Sequence, residues 1–272
     1  MNWTIHMKRA VYFLLSILFI TSIHAQDRYF GYTYTSNVLP KGAIDLEFWH
    51  TSRIGRENQF FHAQDQRMEV EFGLGKNWQT AFYFNRYHTR FSSTINGTQT
   101  SSEIGFSNEW KVKLSDPNQD FVGLALYGEW GIKGGDELEF EGKAIIDKSF
   151  GKNLFAMNIV GEHEKEFEWK DGESEAENKT KIEVDLGYMY HINTDFGLGF
   201  EIKNNNEVEK GKWEHSALFT GPVLNYRTER WFVIATVLPQ VRNLRRTNEA
   251  PGKLVLDEHE RLETRILIGI SL

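Results

Sequence analysis

The feature that most constrains this chain is a two-residue period that recurs from about residue 44 to the last position. At the end, Leu262, Thr264, Ile266, Ile268, Ile270 and Leu272 alternate with Arg261, Glu263, Arg265, Gly269 and Ser271. Successive side chains of a strand point to opposite faces, so this segment has one apolar face and one charged face. The same test separates Ile44, Leu46 and Phe48 from Asp45, Glu47 and Trp49, and Ile182, Val184 and Leu186 from Lys181, Glu183 and Asp185. Run along the whole chain, it predicts twelve strands. A sheet with charge on one face and oil on the other suits water on one side and hydrocarbon on the other, which strands achieve only as a closed barrel.

Composition agrees with this. Charged residues make up 25% of the chain, too many for a bundle of membrane helices but ordinary for a barrel whose strands show lipid only half their residues. There are no cysteines, so disulfides and Cys-ligated metals are excluded, and barrel closure must supply the stability. Lys8 and Arg9 precede the apolar run from Val11 to Ile20, and Ala25 stands before the polar Gln26, the pattern of a secretory signal. The expected organisation is a signal peptide over 1–25, a periplasmic lead-in over 26–42 and an outer-membrane β-barrel over 43–272. Loss of Lys8 and Arg9 takes Lys plus Arg from 31 to 29 against 38 acids, moving the net charge from -7 to -9. An acidic exported chain does not suit nucleic acid as a partner.

The final strand resembles the C-terminal signal of Gram-negative outer-membrane barrels, although that signal usually ends in an aromatic residue where this chain has Leu272. The stretch FGYTYTSNVLPKGAIDLEFWHTSR (30–53), with RMEVEFGLGKNWQTAFYFNRY (67–87), is similar to the opening of a family of uncharacterised outer-membrane barrels. The resemblance implies an all-β, single antiparallel up-and-down barrel and no established activity. It also implies the barrel assembly machinery, outer-membrane lipids and lipopolysaccharide as partners.

Connections should alternate in length. Tight periplasmic turns are predicted at Gly75–Asn77, Ser115–Gln119, Ser149–Lys152, Asn193–Asp195 and Tyr226–Arg230. Longer external loops are predicted at Ser52–Gln64, Phe91–Ser101, Lys165–Thr180, Asn204–Lys212 and Arg242–His259, with a short one at Lys133–Asp136. Trp78, Trp110, Trp130, Trp213, Trp231, Tyr188 and Tyr190 fall near strand ends, where amphipathic rings meet headgroups.

The lumen-lining candidates are Glu137, Glu139, Glu141, Glu183, Asp185, Lys143, Arg261, Glu263 and Arg265, with Lys111, Lys113 and Lys181 as further inward cations. Two readings follow: a salt-bridged network that plugs a narrow barrel, or an acidic pathway for small ions or solutes. The final-strand charges are expected beside Asp45, Glu47, Arg67 and Glu69, and an aspartate at Ile268 is expected to be worse tolerated than one at Gly269. The run from Glu162 to Glu173, which includes His163, offers ligands for a divalent cation but suits a solvated surface strand better. His215 and Ser216 are adjacent and so point to opposite faces, and no Asp or Asn partner is fixed for them by spacing; His50 and His88 lie near external strand ends, where a rim hydrolase would need its site, but suit interfacial polar residues better. No catalytic, cofactor or metal residue is therefore assigned. Arg242, Arg245 and Arg246 suit phosphates at the outer surface. A small-solute channel and a closed binding barrel acting through its external loops remain, with an outer-membrane hydrolase behind both.

Overall fold

The fold is a computed structural model describing residues 28–57, 59–93, 97–170, 173–209, 212–245 and 252–272. The expected signal segment 1–25 and Arg246 lie outside the described residues. Twelve strands follow in order: β1 (Ile44–Arg56), β2 (Gln59–Gly75), β3 (Trp78–Ser93), β4 (Gly97–Ser115), β5 (Gly123–Lys133), β6 (Glu137–Phe150), β7 (Asn153–Lys170), β8 (Glu173–His191), β9 (Phe196–Glu209), β10 (Lys212–Arg227), β11 (Trp231–Asn243) and β12 (Leu262–Ser271). Each pairs antiparallel with its neighbours in sequence, and β12 returns to β1 to close the ring. The closing register runs from Asp45 opposite Ser271 to Ile54 opposite Leu262. Among the described residues no strand edge is left unpaired, which in hydrocarbon would cost several kcal/mol for each bare peptide group.

The alternation read from sequence sorts the two faces. Phe84 is 53% exposed while Tyr83 beside it is fully buried, and Ile268 is 41% exposed while Leu267 is fully buried. The Trp and Tyr residues expected at the girdles all face outward. Gly269 faces the lumen as expected, but a Cβ there would lie 2.1 Å from Cε1 of Phe232. A side chain there would therefore have to displace the Phe232 ring.

Most of the expected external loops are strand. β1 runs to Arg56 and β2 begins at Gln59, while β7 runs to Lys170 and β8 begins at Glu173. Where both faces meet water, polar side chains occupy a ladder as readily as a loop, so hydrophobic alternation underestimates the length of such strands. Only the connection between Asn243 and Leu262 stays long. The opposite end is tight, as expected: Lys76 and Asn77 take φ of 53° and 66°, the paired positive values of a two-residue hairpin turn.

Residues 28–39, expected as a lead-in ahead of the barrel, are instead packed inside it. Phe30, Tyr32, Thr33, Tyr34, Thr35, Ser36 and Leu39 are all 6% exposed or less. The chain turns into β1 at the rim, where the Gly42 amide donates to the Gly73 carbonyl and Ala43 to that of Pro40. Phe30, Tyr32 and Tyr34 alternate with Gly31, Thr33 and Thr35, yet both sets are buried, because this segment is covered on all sides rather than on one.

Candidate functional site

The inserted segment is held by side chains of the wall. Glu201 on β9 accepts from the amides of Gly31 (3.0 Å), Tyr32 (2.9 Å) and Thr33 (2.9 Å), and from the Thr236 hydroxyl (2.8 Å). Asn158 on β7 acts as a surrogate peptide: its Oδ1 accepts from the Tyr34 amide and its Nδ2 donates to the Tyr34 carbonyl. Asp147 accepts from the Ser36 amide, Gln79 from the Leu39 amide, and Arg265 donates to the Gly31 carbonyl. Buried amides without such acceptors would each cost about 1–3 kcal/mol, so polar residues at these lumen positions are what allow a segment outside any ladder to be buried. The wall also thins to receive it: a Cβ at Gly187 would lie 2.9 Å from the Phe30 ring, and one at Gly73 1.9 Å from the Pro40 carbonyl oxygen.

Around the segment the half of the lumen nearest the β2–β3 turn is filled. Phe30 and Tyr34 pack with Trp49, Tyr127, Ile145, Leu154, Met189, Phe232 and Leu267, which come from strands on all sides of the ring. Arg28 lies within 3.7 Å of Glu47 and 3.9 Å of Glu69, and stacks 3.6 Å from the Tyr34 ring centroid. Glu69, Glu71 and Glu109 bring carboxylate oxygens within 4.8 Å of one another. Gln79 donates to Glu71 and the Tyr83 hydroxyl to Glu109. Glu69 and Glu71 were legible as inward positions of β2, whereas nothing in the sequence signalled their meeting with Arg28.

Above this floor a cavity of about 470 Å³ opens outward, with Tyr32 and Tyr34 at its base. Of the predicted lining residues, Glu137, Glu139, Glu141, Lys143, Glu183 and Arg265 face it. Lys143 pairs with Glu141 at 2.9 Å, and Lys181 with Glu162 at 2.8 Å and also with Glu164. Asp185 and Glu263 point inward but are buried, Glu263 being paired with Lys203 at 2.9 Å. Arg261 does not line the lumen: it precedes β12, is exposed, and its amide donates to the carbonyls of Ile54 and Gly55 at the rim. The expected neighbours of the final-strand charges differ too. Glu263 faces Arg53 and Arg265 faces Thr51, because an antiparallel closure brings the start of β12 to the far end of β1.

Residues 252–261, between β11 and β12, fold back into the mouth. Val255 is 1% exposed, packs with Tyr32, Phe219 and Leu238, and its amide donates to Gln240 Oε1. His259 and His215 meet at 2.7 Å between their Nε2 atoms, so one ring donates and the other must be neutral there to accept. Burial, then the neighbouring His215, lowers the His259 pKa to about 3, while burial and Glu263 raise Glu260 to about 8.

The other sequence candidates do not assemble into a reactive centre. His163 is exposed on the outward face beside Thr180, away from the inward Glu162 and Glu164, so that run does not converge on one ion. Ser216 receives a hydrogen bond from Asn204 rather than from His215. Ser52 meets His62 at 2.8 Å and His88 meets Ser102 at 2.7 Å. Neither imidazole has a carboxylate orienting its second nitrogen among the described residues, and the nearby backbone amides are committed to the ladders.

No curated protein matches the chain. Among solved structures it is similar to the COG4313 outer membrane channel from Pseudomonas putida F1, at TM-score 0.62 and 10% identity over 87% of this chain and 98% of that one. The translocator domain of autotransporter NalP from Neisseria meningitidis gives 0.58 and 8% over 86% and 90%, and the KdgM porin in complex with oligogalacturonate gives 0.50 and 8% over 84% and 99%. At such identities the likeness is one of fold, a closed barrel of the outer-membrane kind. In sequence, one family model matches residues 22–272, and the chain belongs to that family of unknown function, DUF6662.

Proposed function

We propose that this protein is an outer-membrane channel for small solutes, gated by its own N-terminal segment. One observation carries the reading: residues 28–39 block the periplasmic half of the lumen, yet the twelve strand pairings close the ring without them. Withdrawing the segment breaks side-chain to backbone hydrogen bonds and an apolar contact set, and no rung of the barrel. An element that closes a pore but belongs to no ladder can move while the wall stays intact. The outward cavity, rich in carboxylates, is then the solute vestibule, and the signal over 1–25 supplies the route to the membrane.

The wall residues Met189, Phe232 and Leu267, which reach the centre themselves, favour a second reading in which the barrel stays closed and the vestibule only binds. Single-channel recording separates the two. The full chain should show brief, low-conductance openings, and a variant lacking residues 28–38 a steady open level. A deletion variant that migrates as a folded, heat-modifiable barrel but conducts no current would establish the closed binding barrel instead. No catalytic step enters either reading.

A further inference from the structure

In a closed ring of twelve strands, those six apart face each other across the diameter, so β12, β1 and β2 look towards β6, β7 and β8. The vestibule charges are divided along that line. From β12, β1 and β2 it receives Arg265, Arg53 and Arg67 against a single acid, Asp65. From the arc β4 to β9 it receives eight glutamates against four lysines. On the acidic side, Glu139, Glu162 and Glu164 bring oxygens within 4.8 Å, with only Lys181 paired to the last two. Glu139 takes no hydrogen bond or ion pair among the described residues.

On the opposite side the guanidinium groups are held but not saturated. Arg265 donates to Thr51 and to the Gly31 carbonyl and lies 3.8 Å from the Tyr32 ring centroid. Arg53 is paired with Asp65 at 2.8 Å, and Arg67 with Glu129 at 3.6 Å. A guanidinium carries five donors in a planar fork, so each keeps capacity for a carboxylate. Between the walls, Tyr32, 6% exposed on the vestibule floor, takes the Arg265 guanidinium at 3.8 Å and the Lys203 ammonium at 4.8 Å from its ring centroid, with Glu263 beside its hydroxyl.

We propose that the vestibule takes small zwitterionic solutes, with the ammonium end against Glu139, Glu162 and Glu164 and the carboxylate end towards Arg265 and Arg53. A dication satisfies one wall and is repelled by the other, and a dianion does the reverse. Only a solute with opposite charges at its two ends gains from both. This refines the solute-channel reading and rests on its vestibule. Its test is therefore binding, which does not depend on whether the floor opens.

Three probes of one chain length decide it: ε-aminohexanoate, hexamethylenediamine and adipate, titrated calorimetrically into the folded full-length protein in detergent at low salt. Aminohexanoate should bind about tenfold more tightly than either of the others. E139Q should weaken aminohexanoate and the diamine and leave adipate unchanged; R53Q should weaken aminohexanoate and adipate and leave the diamine unchanged. Diamine binding equal to or tighter than aminohexanoate would reduce the vestibule to an acidic cation site and overturn the proposal. No binding of any probe would also overturn it, while the conductance of the variant lacking residues 28–38 would still report on the channel separately.

Discussion

The strongest handle on the inserted segment is Glu201, which alone accepts three consecutive amides and a hydroxyl. Replacing it by alanine leaves the amides of Gly31, Tyr32 and Thr33 without their acceptor in a site that excludes water. Hydrogen bonds to a charged group are worth about 1.5–3 kcal/mol each, and neighbours in one network do not add fully. A loss on the order of 3–6 kcal/mol follows for the segment, which raises its withdrawn population by about a hundredfold to ten-thousandfold. The barrel should be spared, since the backbone of residue 201 keeps its pairings with Gly187 and Gly221. The absence of native cysteine provides the assay. A single cysteine at Ser36, fully buried beside Asp147, should react with a maleimide at a rate set by withdrawal. S36C/E201A should label at least a hundredfold faster than S36C, with unchanged heat-modifiable migration. Equal labelling rates in two folded proteins would show that Glu201 does not hold the segment and would refute a gate latched by it.

The remaining predictions concern the wall and the outer mouth. F84D puts a carboxylate on the outward face of β3, at a cost on the order of 2 kcal/mol near the membrane centre, whereas N85D, one residue along, places the same group beside Arg67 in the lumen. Assembled barrel in the outer-membrane fraction should fall for the first and persist for the second, and the reverse order would invert the face assignment. The loop at 252–261 should respond to pH on two limbs. His259, lowered to about 3, supports closure above its ordinary 6.5 and loses that support as pH falls, whereas Glu260, raised to about 8, supports closure below 4.5 and loses it as pH rises. The opposing slopes cancel between about pH 4.5 and 6.5, and opening should grow up to about tenfold per unit on either side. Hydrogen exchange at the Val255 amide, corrected for its intrinsic rate, reads this directly. H259N should flatten the acid limb and E260Q the alkaline one, and a flat profile in the unmodified protein would rule the mechanism out.

The barrel itself was legible in the sequence because its cause is local. Whether Phe84 or Tyr83 meets the outside depends only on the two-residue period of a strand, and Lys76 and Asn77 sit where an abrupt break in that period requires a turn. The inward rows Glu137, Glu139, Glu141 and Glu183 could be named for the same reason. Strand length was less legible: above the membrane both faces meet water, so the alternation that marks a strand fades while its ladder continues to Arg56 or Lys170. The place of residues 28–39 was hidden for a deeper reason. What buries Tyr34 is Asn158, 124 positions away, and what buries Gly31 and Tyr32 is Glu201, about 170 positions away. Each looks like one more polar lumen residue until closure of the ring brings it to the segment. Local pattern determined the wall and which side of it each residue faces. Only the closed tertiary structure decided what fills it, which charges meet across its diameter, and that Arg261 stays at the rim, because those contacts come from the ring's curvature and stagger, to which the period of a single strand is blind.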